Sequence, residues 1–180
     1  ERLSYFATNN VLLVLGAVLF MTVILLAIFA PWVAPYDPAK IDFSAKLLAP
    51  GLDHLMGTDE LGRDIFSRVI FGARTSLVIG ITVLFLSVLI GVPIGLISGY
   101  FGGRIDTILM RISDIFLAFP PLLLPISITA ALGAGLFNAM MALAISWFPW
   151  YARIMRSSVL AIKQELYIDA ARVMGSGHTR

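Results

Sequence analysis

An all-α integral membrane protein is the fold class that the sequence predicts, and three observations predict it. Apolar residues make up 59% of the chain and fall in long runs, with a mean hydropathy of +0.92. The run at about 11–30 carries no charge over a length that, at about 1.5 Å per residue, crosses the roughly 30 Å hydrocarbon core. The charged residues, 13% of the chain, gather in loops and at span ends. Four transmembrane helices are expected, at about 11–30, 76–100, 105–134 and 137–160, with a tail at 1–10, an outer loop at 31–75 and a polar end segment at 163–180. The net charge of +2, with no basic patch, argues against a nucleic-acid partner. Cysteine is absent, and His54 and His178 lie far apart, so no disulfide framework, thiolate site or histidine metal cluster is expected and no cofactor is assigned.

Asn9 and Asn10 can cap the first span, Pro31 and Pro35 stop it, and Trp32 sits where an interfacial aromatic belongs. A cleavable signal peptide fits poorly, because the apolar run is too long and no Ala-x-Ala site follows it. The loop opens with Pro31-Trp-Val-Ala-Pro-Tyr-Asp-Pro38, rich enough in proline to hold an irregular chain. Further on, Leu61, Ile65, Phe66, Val69 and Ile70 recur at helical spacing, and Asp59–Arg63 and Asp64–Arg68 are acid-first i,i+4 pairs. They predict an amphipathic interfacial helix at about 58–72. Gly57-Thr-Asp-Glu-Leu-Gly62-Arg63-Asp64 has the outline of a phosphate loop, but Arg63 and Asp64 replace the lysine and hydroxyl residue that such a loop needs.

In the second span Ser87, Gly91, Gly95 and Gly99 recur every four residues, a helix-packing seam that lets another backbone come close. It reads either as packing within one subunit or as a surface on which helices shift during transport. Pro93 adds a bend. The third span opens with Arg104, Asp106, Arg111 and Asp114, of which the last two can pair at i,i+3. Phe119, Pro120 and Pro121, with Pro125, then break it. A break at membrane depth must be covered by protein or line a wet cavity, so these residues mark either a translocation path or a structural kink. Gly133 and Gly135 turn the chain into the fourth span, where Trp147, Phe148, Trp150 and Tyr151 surround Pro149 and Arg153 and Arg156 follow. An aromatic belt with basic anchors is the plain reading, and Trp147 lining the path is the other.

In the end segment, Leu166, Ala170 and Val173 share one side at helical spacing, Ala170 and Ala171 allow close approach, and Gly175 and Gly177 stop the helix. So short an amphipathic helix either docks on a partner or lies on lipid. A cytoplasmic N-terminus puts Arg2, Arg104, Arg111, Arg153, Arg156, Lys163, Arg172 and Arg180 inside, eight of the thirteen basic residues, and returns the end segment to the cytoplasm. An intramembrane hydrolase is disfavoured because Ser127 and Ser146 have no histidine at their depth. A non-ABC channel or a membrane adaptor remains compatible with broken spans and small-residue seams.

Asp169-Ala170-Ala171-Arg-Val-Met-Gly175 resembles the Glu-Ala-Ala-x-x-x-Gly signature of permease subunits of bacterial and archaeal ABC importers. The stretch from His54 to Leu77, with Ala34-Pro-Tyr-Asp-Pro38, is similar to the dipeptide/oligopeptide/nickel permeases, in particular their second permease subunit. The resemblance implies a type I importer permease fold and a cytoplasmic-membrane location. It also implies a peptide cargo, with nickel as the alternative. The implied partners are a homologous permease, two ATP-binding subunits that hydrolyse ATP in place of this chain, an extracytoplasmic solute-binding protein and the lipid bilayer. Asp169, Ala170, Ala171 and Gly175 would be the ATPase-coupling positions, with Asp169 in place of the usual glutamate. Family members continue into two more spans, so a chain ending at Arg180 is expected to be a fragment.

Overall fold

A computed structural model of the chain describes residues 10–175 and 177; the tail at 1–9, Ser176 and residues 178–180 fall outside the described residues. Within them the fold is all-α: α1 Val11–Val33, a 3-10 turn at Phe43–Ala45, α2 Ile65–Phe101, α3 Gly103–Ala118, α4 Leu123–Leu132, α5 Leu136–Ile162 and α6 Leu166–Val173. The chain divides into two compact units, Glu1–Gly80 and Ile81–Arg180.

In the first unit, α1 begins with the Val14 amide on the Asn10 carbonyl (3.0 Å) and ends with the Ala34 amide on Ala30. It runs three residues past the expected stop, because Pro31 in the last turn forfeits only one backbone bond at a helix end that is about to stop anyway. Only Ala27 and Ala30 are buried along this helix.

The loop from Ala34 to Asp64 is fastened to itself. Thr58 is buried, accepts the Leu48 amide (2.8 Å) on its hydroxyl and donates to the Ala45 carbonyl. Asp59 accepts the Leu61 and Arg63 amides (2.8 and 3.0 Å) on one oxygen and the Arg63 and Arg68 guanidiniums on the other. Asp64, also buried, caps α2 by accepting the Ser67 amide (2.7 Å), and its other oxygen lies 3.0 Å from His54 Nδ1. The His54 ring rests on Tyr36, 4.8 Å between centroids, whose amide donates to Ser67 Oγ (3.1 Å).

This arrangement corrects the expected helix at 58–72. The turn from Thr58 to Asp64 is an isolated antiparallel bridge, and helix begins only at Ile65, running on to Phe101 without a break. Asp59 cannot propagate a helix while its side chain holds the amides two and four residues on, and Gly62 adopts a left-handed φ of 72°. Asp59 does pair with Arg63, but across a turn; Arg68, expected opposite Asp64, reaches Asp59 instead. Gly57 and Gly62 fill a structural need: a Cβ on Gly62 would stand 1.7 Å from the Asp42 carbonyl oxygen, and one on Gly57 2.4 Å from that of Leu48. The likeness to a phosphate loop is the outline of this self-filled turn.

In the second unit the expected third span is two helices. α3 stops at Ala118, Phe119 is extended, and α4 starts at Leu123, bent by 93°. Pro120 and Pro121 lack the amides that would continue α3, and the Pro120 carbonyl takes the Leu123 amide (3.0 Å) to start the next helix. Pro125, in the first turn of α4, is tolerated there. Among the described residues two helices, α1 and α2, are long and apolar enough to cross a membrane, or three if the bent pair is one span. α5 is not one of them, its 27 residues being diluted by Asn138, Ser146, Pro149, Arg153 and Arg156.

Candidate functional site

The end segment forms a helix as expected from its periodicity, and the helix is short. After α5, the Gln164 and Glu165 amides turn back onto the Ala161 and Ile162 carbonyls, both at 3.1 Å, and the Ile168 amide bonds to Glu165 (2.9 Å) to open α6. Asp169 stands in the first turn, where a negative charge meets the positive end of the helix dipole. Leu166, Tyr167, Val173 and Met174 are 85, 61, 88 and 86% exposed. With Ala170 they lie on one arc of the helix, an apolar face that nothing in this unit covers. Gly175 follows at φ 81°, the left-handed conformation that ends helices, and a Cβ there would meet nothing within 4 Å.

Behind this helix lies a polar cluster that sequence reasoning did not single out. Arg156 of α5 grips Asp106 of α3 with two parallel bonds, Nε to Oδ1 and Nη2 to Oδ2, each 2.6 Å. Ser98 of α2, fully buried, donates to the same carboxylate. Lys163, the C-cap of α5, places its ammonium on the carbonyls of Gly99 and Tyr100 (3.2 and 2.9 Å), which belong to the last turn of α2. One turn further into the unit, Arg153 bonds Asp114 (2.6 Å), the acid for which the sequence offered Arg111. A partial signal was available: α3 carries Arg104, Asp106, Arg111 and Asp114, α5 carries Arg153 and Arg156, and charges on apolar helices tend to pair with one another. The partner across fifty residues was not readable from local spacing.

Ser87, Gly91, Gly95 and Gly99 all face α5. Ser87 donates to the Ala144 carbonyl (3.3 Å), and a Cβ on Gly91 would sit 2.5 Å from the Phe148 carbonyl oxygen. One on Gly95 would sit 2.3 Å from that of Ala152, and one on Gly99 2.8 Å from Val159 Cβ. The two backbones touch along three turns, with Ala144 and Ala152 fully buried opposite. Phe119, Pro120 and Pro121 form the bend between α3 and α4, all exposed, and Trp147 is exposed on α5 beside Phe148, whose ring packs edge-on against Phe116 of α3 (5.1 Å). Thus the seam residues share one interface and the four end-segment residues one helix and its terminus, while the bend residues and Trp147 belong to different elements.

Residues 91–180 match the family described as binding-protein-dependent transport system inner membrane component, and residues 8–50 match the N-terminal TM domain of oligopeptide transport permease C. Among curated relatives, the probable D,D-dipeptide transport system permease protein DdpC of Escherichia coli (strain K12) is 43% identical over 97% of this chain and 59% of its own length. The nickel transport system permease protein NikC of the same strain is 38% identical over 99% of this chain and 64% of its own. The di/tripeptide transport system permease protein DppC of Pseudomonas aeruginosa (strain UCBPP-PA14) is 44% identical, over 92% and 57%. The chain thus spans about three fifths of the length of the relatives it matches. With the family match covering the three seam glycines, the charge cluster and the exposed end helix, this chain belongs to the binding-protein-dependent transport system inner membrane components, on the branch of the peptide and nickel permeases.

Proposed function

We propose that this chain is the membrane-spanning part of a permease subunit in an ATP-driven importer, and that α6 is the element through which an ATP-binding subunit moves it. The observation that carries this reading is the uncovered apolar face of α6, which follows the charged end of α5 and ends at a left-handed glycine. An eight-residue helix gains too little from its own hydrogen bonds to be stable alone, so a face of Leu166, Tyr167, Ala170, Val173 and Met174 calls for a partner groove. Asp169, Ala170, Ala171 and Gly175 are the coupling positions: two small residues for close approach, a carboxylate at the helix start and a sharp exit.

In this reading four segments cross the bilayer, α1, α2, the bent α3–α4 pair and α5, the N-terminus is cytoplasmic, and hydrolysis occurs on two ATP-binding partners. A homologous permease completes the path, and an extracytoplasmic protein delivers the solute. Peptide is the preferred cargo. The relatives named for dipeptide and di/tripeptide transport are 43 and 44% identical, against 38% for the nickel permease.

These 180 residues hold no cysteine, so single cysteines at Ala170 and Ala171, in a subunit cleared of any other cysteine, are clean probes. In the full-length subunit, crosslinks from these positions to a co-expressed ATPase that change with ATP are expected. No crosslink at either position in an assembled complex would place α6 on lipid and remove the coupling role. Uptake of labelled dipeptide against labelled nickel by the same complex then decides the cargo.

A further inference from the structure

We infer that Lys163 and the Asp106–Arg156 pair are positioning residues that bind α5, the α2–α3 turn and the end of α2 into one rigid body, so that a push on α6 moves all three helices together. The inference rests on the proposed coupling role of α6 and assigns residues to the step that follows docking.

Two sets of contacts, two turns apart on α5, tie these elements together. Lys163 lies three residues before α6 begins, and its ammonium sits on carbonyls of the last turn of α2, the negative end of that helix dipole. Arg156, two turns earlier on α5, holds Asp106, which stands one turn past the glycine pair joining α2 to α3. Ser98 ties α2 to the same carboxylate. Between these contacts Gly99 brings the α2 backbone against Val159 and leaves no slack.

The geometry suits transmission of force more than simple anchoring. A flexible glycine pair, Gly102 and Gly103 with φ of 67° and 54°, would let α2 and α3 swing apart. The two parallel bonds of Arg156 fix direction as well as distance, which a single lysine contact at that position would not. Lys163 then locks the end of α2 to the start of the turn leading into α6. Without these ties a displaced α6 could unwind the Lys163–Glu165 turn and leave the spans where they were, dissipating the stroke.

The test uses the full-length subunit in its assembled importer, comparing wild type with Lys163→Met, Arg156→Lys and Asp106→Asn. The readouts are uptake, ATP hydrolysis and the Ala170 crosslink to the ATPase. Lys163→Met is expected to keep assembly, crosslink and hydrolysis while solute moved per ATP falls about fivefold or more, the lower end of a coupling between two sites. Arg156→Lys, which keeps the charge but loses the parallel bonds, is expected to fall in the same direction by less than Asp106→Asn. Lys163→Arg should restore the ratio by returning donors to the same carbonyls. An unchanged ratio in both Lys163→Met and Asp106→Asn, with complexes assembled, overturns the inference. Absence of any wild-type crosslink overturns the coupling role itself, a separate outcome.

Discussion

Single residues divide into those that tolerate a methyl group and those that do not. Gly95→Ala would drive a Cβ to 2.3 Å from the Ala152 carbonyl oxygen, and the backbone cannot yield without separating α2 from α5. We expect it to destabilise the folded chain by about 1–3 kcal/mol, the usual range for overpacking. Gly16→Ala, with nothing within 4 Å and an ordinary helical backbone, is expected to be neutral or to gain up to about 1 kcal/mol from helix propensity. Thermal unfolding of detergent-solubilised protein ranks the two, and equal midpoints would mean that the seam is not closed in solution. The spacing of the four small residues was legible in the sequence, whereas their partner helix was not, because the four-residue repeat identifies the packing side and leaves open what packs there.

Asp59 adds a pH dependence at the same scale. Burial opposes its charge, but the Arg63 and Leu61 amides and the Arg63 guanidinium outweigh burial and hold its pKa at about 2, below the ordinary 3.8. A carboxylate depressed in the folded state stabilises above its unfolded pKa, and that contribution fades between 3.8 and about 2 as the pH falls. Protease resistance of the 34–64 loop should therefore hold at pH 4 and above and decline toward pH 2. Asp59→Asn should be more readily cleaved at neutral pH and lack that part of the decline; an identical profile in both would discount the carboxylate.

At the level of elements, the bounds that the sequence predicted were close where helix punctuation is local and poor where side chains redirect the backbone. Gly133 and Gly135 mark the start of α5, and Phe119-Pro120-Pro121 marks the end of α3, close to where each was expected. The helix expected at 58–72 starts only at Ile65 and is continuous with the span expected at 76–100; its first seven residues were misread because Asp59 and Asp64 read equally as helix-surface acids and as loop fasteners, and only their contacts with Leu61, Arg63, Ser67 and His54 distinguish the two. α6 yields a prediction of its own. Val173→Glu places a charge on its uncovered apolar face and is expected to abolish association with an ATP-binding subunit while leaving the fold of the membrane part unchanged, measured by co-purification against circular dichroism. Loss of helical signal together with association would point to a folding defect instead. Gly175→Val should also weaken association, since a β-branched residue at φ 81° costs about 1–3 kcal/mol and redirects the chain after α6.

For the molecule as a whole, an integral membrane protein of all-α type was fully legible, because length, hydropathy and uncharged runs leave little choice. The charge cluster behind α6 was not, since Asp106 and Arg156 meet only after α3 and α5 have packed. One dimension of α2 bears on how the protein sits in its membrane. At about 1.5 Å per residue, its 37 residues measure roughly 55 Å, nearly twice the roughly 30 Å hydrocarbon layer. Arg68 and Arg74 occupy the opening turns among Ile65, Phe66, Val69 and Ile70, so part of the surplus is an amphipathic stalk, and the uncharged remainder from Thr75 to Phe101, about 40 Å, still exceeds the hydrocarbon layer. A helix with such a stalk can change its tilt to suit a thinner or thicker bilayer without drawing the fastened loop into lipid. Reconstitution into vesicles of graded acyl-chain length should then alter folding and protease resistance of that loop very little, a tolerance of membrane thickness built into one helix.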